Sequence, residues 1–273
     1  MFKKRLIRWT KVLILLYCII GIAWYYGQEK LLFHPVAVDR KTAYAFDHPF
    51  TELNIPYDAA TNLNVIQFRA TDRPADSLAK GVVLYFHGNT TGISLFGSTA
   101  IDFTAKGYEV WMLDYPGFGK STGTFNEKKL YEYALVFYKL ARSRWSPMQI
   151  VLYGKSMGTG IAAQLASLRD CRRLILESPA YSLTSVARRY LFLYPVASML
   201  HYHFPTNEYL PAVTAPITIF QGDEDGTVPY SNASRLKPLL KKGDEFVTVP
   251  GAGHNDLRNF PLFKEKLDSV LSL

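Results

Sequence analysis

Cysteine is scarce in this chain: Cys18 and Cys171 are the two among 273 residues. Cys18 lies in an apolar N-terminal run, so the rest of the chain holds a single thiol and no internal disulfide can brace it. That usage neither demands nor forbids an oxidising compartment. Acidic residues are missing from the first 11 positions, where Lys3, Lys4, Arg5, Arg8 and Lys11 stand. These five supply most of the net charge of +8; the other 262 residues set 26 basic side chains against 23 acidic ones, only +3. A domain with so little excess charge lacks the basic stripe that a nucleic-acid partner calls for. Repeats and low-complexity segments are absent too. What is present is globular in character: 48% hydrophobic and 20% charged, with length for one large domain or two small ones.

One uncharged run stands apart, VLILLYCIIGIAWYYG over residues 12–27. As a helix its sixteen residues span roughly 24 Å, short of a ~30 Å hydrocarbon core. Extension back to Leu6 closes the gap, because Arg8 and Lys11 can snorkel to the headgroups. Trp24, Tyr25 and Tyr26 would then form an aromatic belt at the far interface. The rival is a cleaved signal peptide, since Gly21-Ile22-Ala23 is a weak small-x-small site. Three aromatics directly behind it make a poor mature start, and Tyr17 before Cys18 spoils a lipoprotein site. A buried soluble helix disagrees with basic residues crowded at one end and no polar face. We expect an uncleaved anchor over residues 1–27, with the N-terminus cytoplasmic. The domain at 28–273 then stands on the non-cytoplasmic, periplasmic or extracytoplasmic, side.

From residue 50 onward, short β-branched or aromatic runs alternate with helix-length segments. Strands are predicted at Leu63–Ala70, Val82–Phe86, Glu109–Leu113, Gln149–Tyr153, Arg173–Glu177, Ile217–Gln221 and Glu245–Val249. Helices are predicted at Ser94–Lys106, Asn126–Ser143, Met157–Leu168, Ser231–Lys241 and Pro261–Leu271. This rhythm points to an α/β fold with a mostly parallel sheet covered on both faces. No helix separates Thr51–Ile55 from Leu63–Ala70, so that pair should run antiparallel at one edge. Between Glu177 and Ile217 the rhythm breaks. Seven aromatics fall there (Tyr181, Tyr190, Phe192, Tyr194, Tyr202, Phe204, Tyr209) and Glu208 is the one acid. An aromatic insertion at the strand C-termini reads as a small cap over the ligand crevice; the plainer reading is one more helix packed on the core.

The stretch VLYGKSMGTG, residues 151–160, carries two signatures. A phosphate loop needs G-x-x-x-x-G-K-[ST], but Gln149 holds the place of the first glycine and a strand replaces the flexible loop. The second Gly119-Lys120-Ser121 fails likewise, with Asp114 in that place. The other signature, G-x-S-x-G at Gly154–Gly158, fits its context, because an apolar strand precedes it and small residues open a helix behind it. Ser156 is then a nucleophile, and the Met157 N–H at the helix start can stabilise an oxyanion.

A serine hydroxyl needs an imidazole to take its proton and a carboxylate to hold that imidazole. Enzymes built on this elbow follow the order Ser, Asp or Glu, His. His34, His48 and His87 precede the serine, and His201 and His203 fall in the cap before any later strand. His254 in VPGAGHND remains. IFQGDEDGTVP offers Asp223, Glu224 and Asp225, and composition does not choose among them. LYFHGNTTG ends a strand where the second oxyanion amide belongs, which selects the Asn89 N–H and leaves His87 a structural role. A metal site is not expected, since His201-x-His203 has no acidic partner at ligand spacing.

With these residues in hand, the chain resembles an α/β-hydrolase, and within that superfamily the Bem46/ABHD13/ABHD17-type serine hydrolases. The resemblance covers most of residues 28–273. It rests on EKLLFHP (29–35), LYFHGN (84–89), LDYPGFGKSTG (113–123), YGKSMGTG (153–160), LESP (176–179), GDEDGTVP (222–229) and GAGHND (251–256). It implies an α/β-hydrolase fold with a small cap insertion at about 179–214. It also implies Asp225 as the acid, three residues before Val228 in D-x-x-V-P, with Asp223 the alternative. An uncleaved N-terminal anchor belongs to the pattern. So does a basic residue in the elbow, here Lys155, for which we expect an exposed side chain with at most a substrate-steering role. DYPGFGKSTG matches a structural loop, so Asp114, Lys120 and Ser121 receive no chemistry.

The reaction expected is hydrolysis of a carboxylic ester or thioester through an acyl-enzyme, with no cofactor and no metal. The aromatic, acid-poor cap favours an apolar acyl group on a small-molecule or lipid substrate. Relatives of this type include protein depalmitoylases, which keeps a thioester in view; a domain facing away from the cytosol cannot reach cytosolic palmitoyl-proteins. A peptidase that grips a free amino terminus would want carboxylates in the cap. A catalytically silent, membrane-tethered binding module would usually lack a triad member, and all three are present.

Overall fold

The computed structural model describes residues 2–71 and 78–272. Its strands are β1 (Phe50–Pro56), β2 (Asn62–Phe68), β3 (Gly81–Phe86), β4 (Tyr108–Leu113), β5 (Ile150–Lys155), β6 (Arg173–Glu177), β7 (Ile217–Gly222) and β8 (Glu245–Val249). They form one sheet in the order β1-β2-β4-β3-β5-β6-β7-β8. The short link between β1 and β2 permits only an antiparallel hairpin, and β2 also meets β4 antiparallel. Every other neighbouring pair is parallel.

The helices are α1 (Phe2–Leu32), α2 (Ile93–Phe96), α3 (Ile101–Thr104), α4 (Glu127–Arg142), α5 (Met157–Leu168), α6 (Leu183–Tyr190), α7 (Val196–Met199), α8 (Thr206–Tyr209), α9 (Tyr230–Ala233) and α10 (Pro261–Ser272). The central strands are buried along their length, so alternate side chains feed two cores. Leu84, Phe86, Leu152 and Leu176 pack with α4 and α5 on one face. Val83, Tyr85, Tyr153 and Ile175 pack with Phe263 and Leu267 of α10 on the other. Asn126 starts α4 by accepting a hydrogen bond from Lys129 N at 2.8 Å.

Three predicted elements change shape. Ser94–Lys106 is not one helix, because a 3-10 turn over Gly97–Ala100 separates α2 from α3. Gly97 sits under the Phe46 ring, where a Cβ would stand 2.4 Å from it, and Gly-Ser-Thr has little helix propensity to resist. Ser231–Lys241 yields α9 and then a 3-10 turn, since Pro238 brings no N–H to an α-helical ladder. The N-terminal helix does not stop at Gly27 but runs on to Leu32.

Between β6 and β7 lie α6, α7, α8 and a 3-10 turn over Leu210–Ala212. Ser182 and Ser185 form a capping box that starts α6. Ala187, Val196 and Leu200 make a small core of their own, against which Trp24 and Leu32 of α1 pack. The cap thus leans on α1 on one side and covers the C-terminal ends of the parallel strands on the other.

Candidate active site

β5 ends at Lys155 and α5 begins at Met157, so Ser156 alone makes the turn between them. Its φ of 51° and ψ of −119° lie where side-chain-bearing residues are strained. The turn closes because its neighbours have no Cβ. On Gly154 a Cβ would stand 2.5 Å from Gly158 O, and on Gly158 it would stand 2.0 Å from Phe86 O. Both distances are far inside contact, so only glycine fits. Ser156 N donates to Glu177 O at 2.9 Å, which fixes the strained residue to β6.

His254 reaches this serine from the loop after β8. Its Nε2 lies 2.9 Å from Ser156 Oγ, and its Nδ1 lies 2.7 Å from Asp225 Oδ2. A carboxylate only accepts, so the imidazole proton belongs on Nδ1, and Nε2 is free to accept from the serine hydroxyl. Asp225 is buried in the loop after β7 and saturated there. Thr227 N and Val228 N donate to Oδ1 at 2.9 and 2.8 Å, and Gln221 Nε2 donates to Oδ2 at 3.0 Å. Burial pushes this carboxyl up, but the bond and charge of His254, with Val228 and Gln221, outweigh burial and hold it below its ordinary 3.8. Asp223 does something else: it accepts from Gly251 N at 2.7 Å and so shapes the histidine loop. Glu224 is exposed.

Asn89 and Met157 line the same cavity as Ser156. Met157 opens α5, so its N–H is one of the first-turn amides without an intrahelical acceptor. Asn89 follows β3 and is pinned: its side chain donates to Leu32 O at 2.5 Å, and its carbonyl accepts from His34 N at 2.9 Å. His87 is buried with its ring 4.2 Å from that of Tyr115. His201 packs edge-on against Tyr25, and His203 Nδ1 lies 3.1 Å from Thr184 Oγ1. Asp114 accepts from Ile93 N at 2.8 Å, Ser121 Oγ donates to Asp114 O at 2.7 Å, and Lys120 pairs with Glu52 at 2.8 Å. These contacts hold loops in place.

Lys155 departs from expectation. It is only 5% exposed, not solvated, and pairs with the fully buried Glu177. The parallel register sets the two residues opposite each other at the ends of β5 and β6. Tyr153 donates to the other oxygen of Glu177, and Lys155 Nζ also reaches His254 O at 3.4 Å. A buried lysine must be paired, so this side chain turns inward beneath the site instead of outward toward substrate. The readable signal was a lysine closing a buried strand with the glutamate of LESP one strand away. Gln221, which steadies Asp225, and Leu31 and Leu32, which help wall the cavity, carried no such signal beyond their motifs.

The cavity above Ser156 has a volume of about 370 Å³, within the usual range for a small-molecule site. None of the side chains lining it, among the described residues, is charged. Its walls come from α1 (Leu31, Leu32), α6 (Val186, Tyr190) and Phe204.

Comparison with known proteins agrees with this fold. The family model described as serine aminopeptidase, S33, matches residues 77–212. An esterase of Pyrococcus furiosus superposes with a TM-score of 0.67 at 16% identity, covering 88% of this chain and 97% of that one. The chain has the α/β-hydrolase fold. It is ABHD17-like: alpha/beta hydrolase domain-containing protein 17C of Xenopus tropicalis is 31% identical over 196 residues, 70% of this chain and 61% of that protein. An uncharacterized protein of Mycobacterium tuberculosis is 31% identical over 176 residues, 64% of this chain and 63% of that protein. The chain therefore spans less than two thirds of the length of these relatives.

Proposed function

We propose that this protein is a serine hydrolase that cleaves carboxylic ester or thioester bonds of apolar acyl substrates. The observation that carries the reading is the line from Ser156 Oγ through His254 to Asp225, at 2.9 and 2.7 Å, beneath an uncharged cavity. His254 Nε2 takes the hydroxyl proton as Ser156 Oγ bonds to the acyl carbon. The same proton then leaves with the alcohol or thiol as the acyl–heteroatom bond breaks. Water, deprotonated by His254, releases the acid and restores the serine. The Asn89 and Met157 amides are the oxyanion donors, each worth about 3 kcal/mol in the barrier. Acyl transfer of this kind draws on no cofactor.

The 31-residue α1 is long and apolar enough to cross a membrane. We read it as an anchor with its basic end in the cytoplasm and the catalytic domain on the other side. A lipid or small ester is then the substrate, since cytosolic acyl-proteins are out of reach.

The description of the matching family favours a peptidase instead. An aminopeptidase must hold an ammonium group, and the cap acid, Glu208, faces a separate depression beside Glu127 and Arg188. That arrangement favours the ester.

Labelling of the membrane-extracted full chain with a fluorophosphonate tests the reading. The wild type is expected to label, and Ser156→Ala to lose labelling altogether. Asp225→Asn should lower kcat by about 10⁴ while Asp223→Asn leaves it high. An unlabelled wild type would leave only a silent binding module. Activity in Asp225→Asn but not in Asp223→Asn would move the acid to Asp223.

A further inference from the structure

The roof of the site is tied to α1 at a depth that a simple anchor does not require. Tyr17 stacks on Tyr194 of the cap with ring centroids 4.4 Å apart. Tyr17 OH donates to Leu193 O and Tyr194 OH donates to Tyr17 O, both at 2.9 Å. Gly21 permits this approach, since a Cβ there would stand 2.9 Å from the Tyr194 ring. Further along, the buried Gln28 donates to Met199 O at 3.0 Å and accepts from His201 N at 2.8 Å. A helix that crosses a ~30 Å core from Leu6 emerges near Tyr26, and Tyr17 lies about 14 Å inside that end. The cap segment against Tyr17 therefore shares the apolar zone with α1.

The chemistry of the segment agrees. Residues 190–200 read YLFLYPVASML and carry no charge. Phe192 is 77% exposed and Leu193 66%, an arrangement costly in water and favourable in lipid. The exposed Arg188 and Arg189 stand just before it, suited to anionic headgroups. Open backbone groups are not tolerated in hydrocarbon, and the Leu193 and Met199 carbonyls are satisfied by α1 side chains. Tyr190, the first residue of the segment, is both exposed and part of the cavity wall, so the cavity over Ser156 opens beside it.

We propose that residues 190–200 form a lipid-immersed tip and that the substrate is an acyl lipid drawn sideways from the leaflet. Its chain passes between the end of α1 and α6 into the cavity. This rests on the hydrolase and anchor readings above, and two measurements separate it from them.

The first is depth. The full chain with Cys18→Ser is reconstituted in phosphatidylcholine–phosphatidylglycerol vesicles and spin-labelled at Phe192→Cys, Ile14→Cys or Met148→Cys, one at a time. Cys171 does not interfere, because burial pushes its thiol up to about 12. Labels at 14 and 192 are expected to favour oxygen over a water-soluble nickel chelate as relaxing agent, and the label at 148 the reverse. A water-like 192 beside a lipid-like 14 overturns the proposal and leaves the anchor standing. A water-like 14 overturns both.

The second is access. Phe192→Ser with Leu193→Ser should slow hydrolysis of a vesicle-borne long-chain ester by about tenfold or more, the loss of two lipid contacts. Hydrolysis of a soluble p-nitrophenyl acetate should stay unchanged, because neither residue lines the cavity. Equal slowing on both substrates, or on neither, overturns lateral uptake. A wild type inactive on both defeats the hydrolase reading, and the proposed substrate falls with it.

Discussion

The floor of the site and its roof are built by opposite means. In the floor, Ser156, His254 and Asp225 sit on loops that follow β5, β8 and β7, and β5 and β7 are buried throughout. Close backbone approaches lock those loops: a Cβ on Gly222 would stand 2.1 Å from Ala252 O, as close as the elbow contacts. The roof consists of short helices and the link between α6 and α7, with Tyr190, Phe192 and Leu193 exposed, and part of its support comes from α1. A locked floor holds three side chains at hydrogen-bond distance. In the proposed hydrolase, a lightly packed roof would suit different acyl groups without disturbing them, so reactivity and selectivity would rest on separate parts of the chain.

The hardest blow to the floor should come from beneath it. Lys155→Met leaves Glu177 buried without its cation, a change expected to cost about 3–5 kcal/mol. Thermal unfolding should show the drop, and pairing it with Glu177→Gln should restore most of the loss. If Lys155→Met is as stable as wild type while hydrolysis slows, the lysine serves substrate and the inward pair is incidental. A smaller effect is expected in the roof. Val186→Trp narrows the cavity and should reduce kcat/KM for a dodecanoyl ester by roughly tenfold, a pocket-fit effect of one or two kcal/mol, with an acetyl ester unaffected. A parallel fall for both esters would show that roof and floor are coupled.

The smallest effect concerns acid. The Asp225 carboxyl titrates below its ordinary 3.8 in the folded protein, so its ionised form stabilises the native state. That contribution is present above the ordinary value and disappears as pH falls through the lower folded one. Acid unfolding of the wild type should therefore steepen in that window relative to Asp225→Asn. Matching acid limbs in the two proteins would show that the loop bonds do not favour the ionised form.

Much of this architecture was legible from residues alone, and for stated reasons. The strands at Arg173–Glu177 and Glu245–Val249 coincide with β6 and β8, and Met157–Leu168 coincides with α5. Apolar runs between turn residues leave little freedom there. Of the helices that failed, one was broken locally by Pro238 and the other because Gly97 had to be weighed against a distant partner, Phe46. In the site, a motif of local geometry pointed to Ser156, and chain order pointed to His254. Asp223, Glu224 and Asp225 could not be ranked by composition, because all three are carboxylates in one loop. Their burial and bonds differ only once β7 and β8 stand side by side.

The sequence by itself determined the alternation of strands and helices, the glycine-flanked turn at Ser156, the order of the loops and the apolar N-terminal run. Each is set by local sterics or by hydrophobic pattern, which reach only a few residues along the chain. Tertiary structure alone decided that Lys155 turns inward to Glu177, that Asp223 meets Gly251, and that Tyr17 of α1 meets Tyr194 of the cap. Those outcomes depend on which strand ends and helix faces are brought within hydrogen-bond reach. That is a property of sheet register and packing between segments up to 177 positions apart.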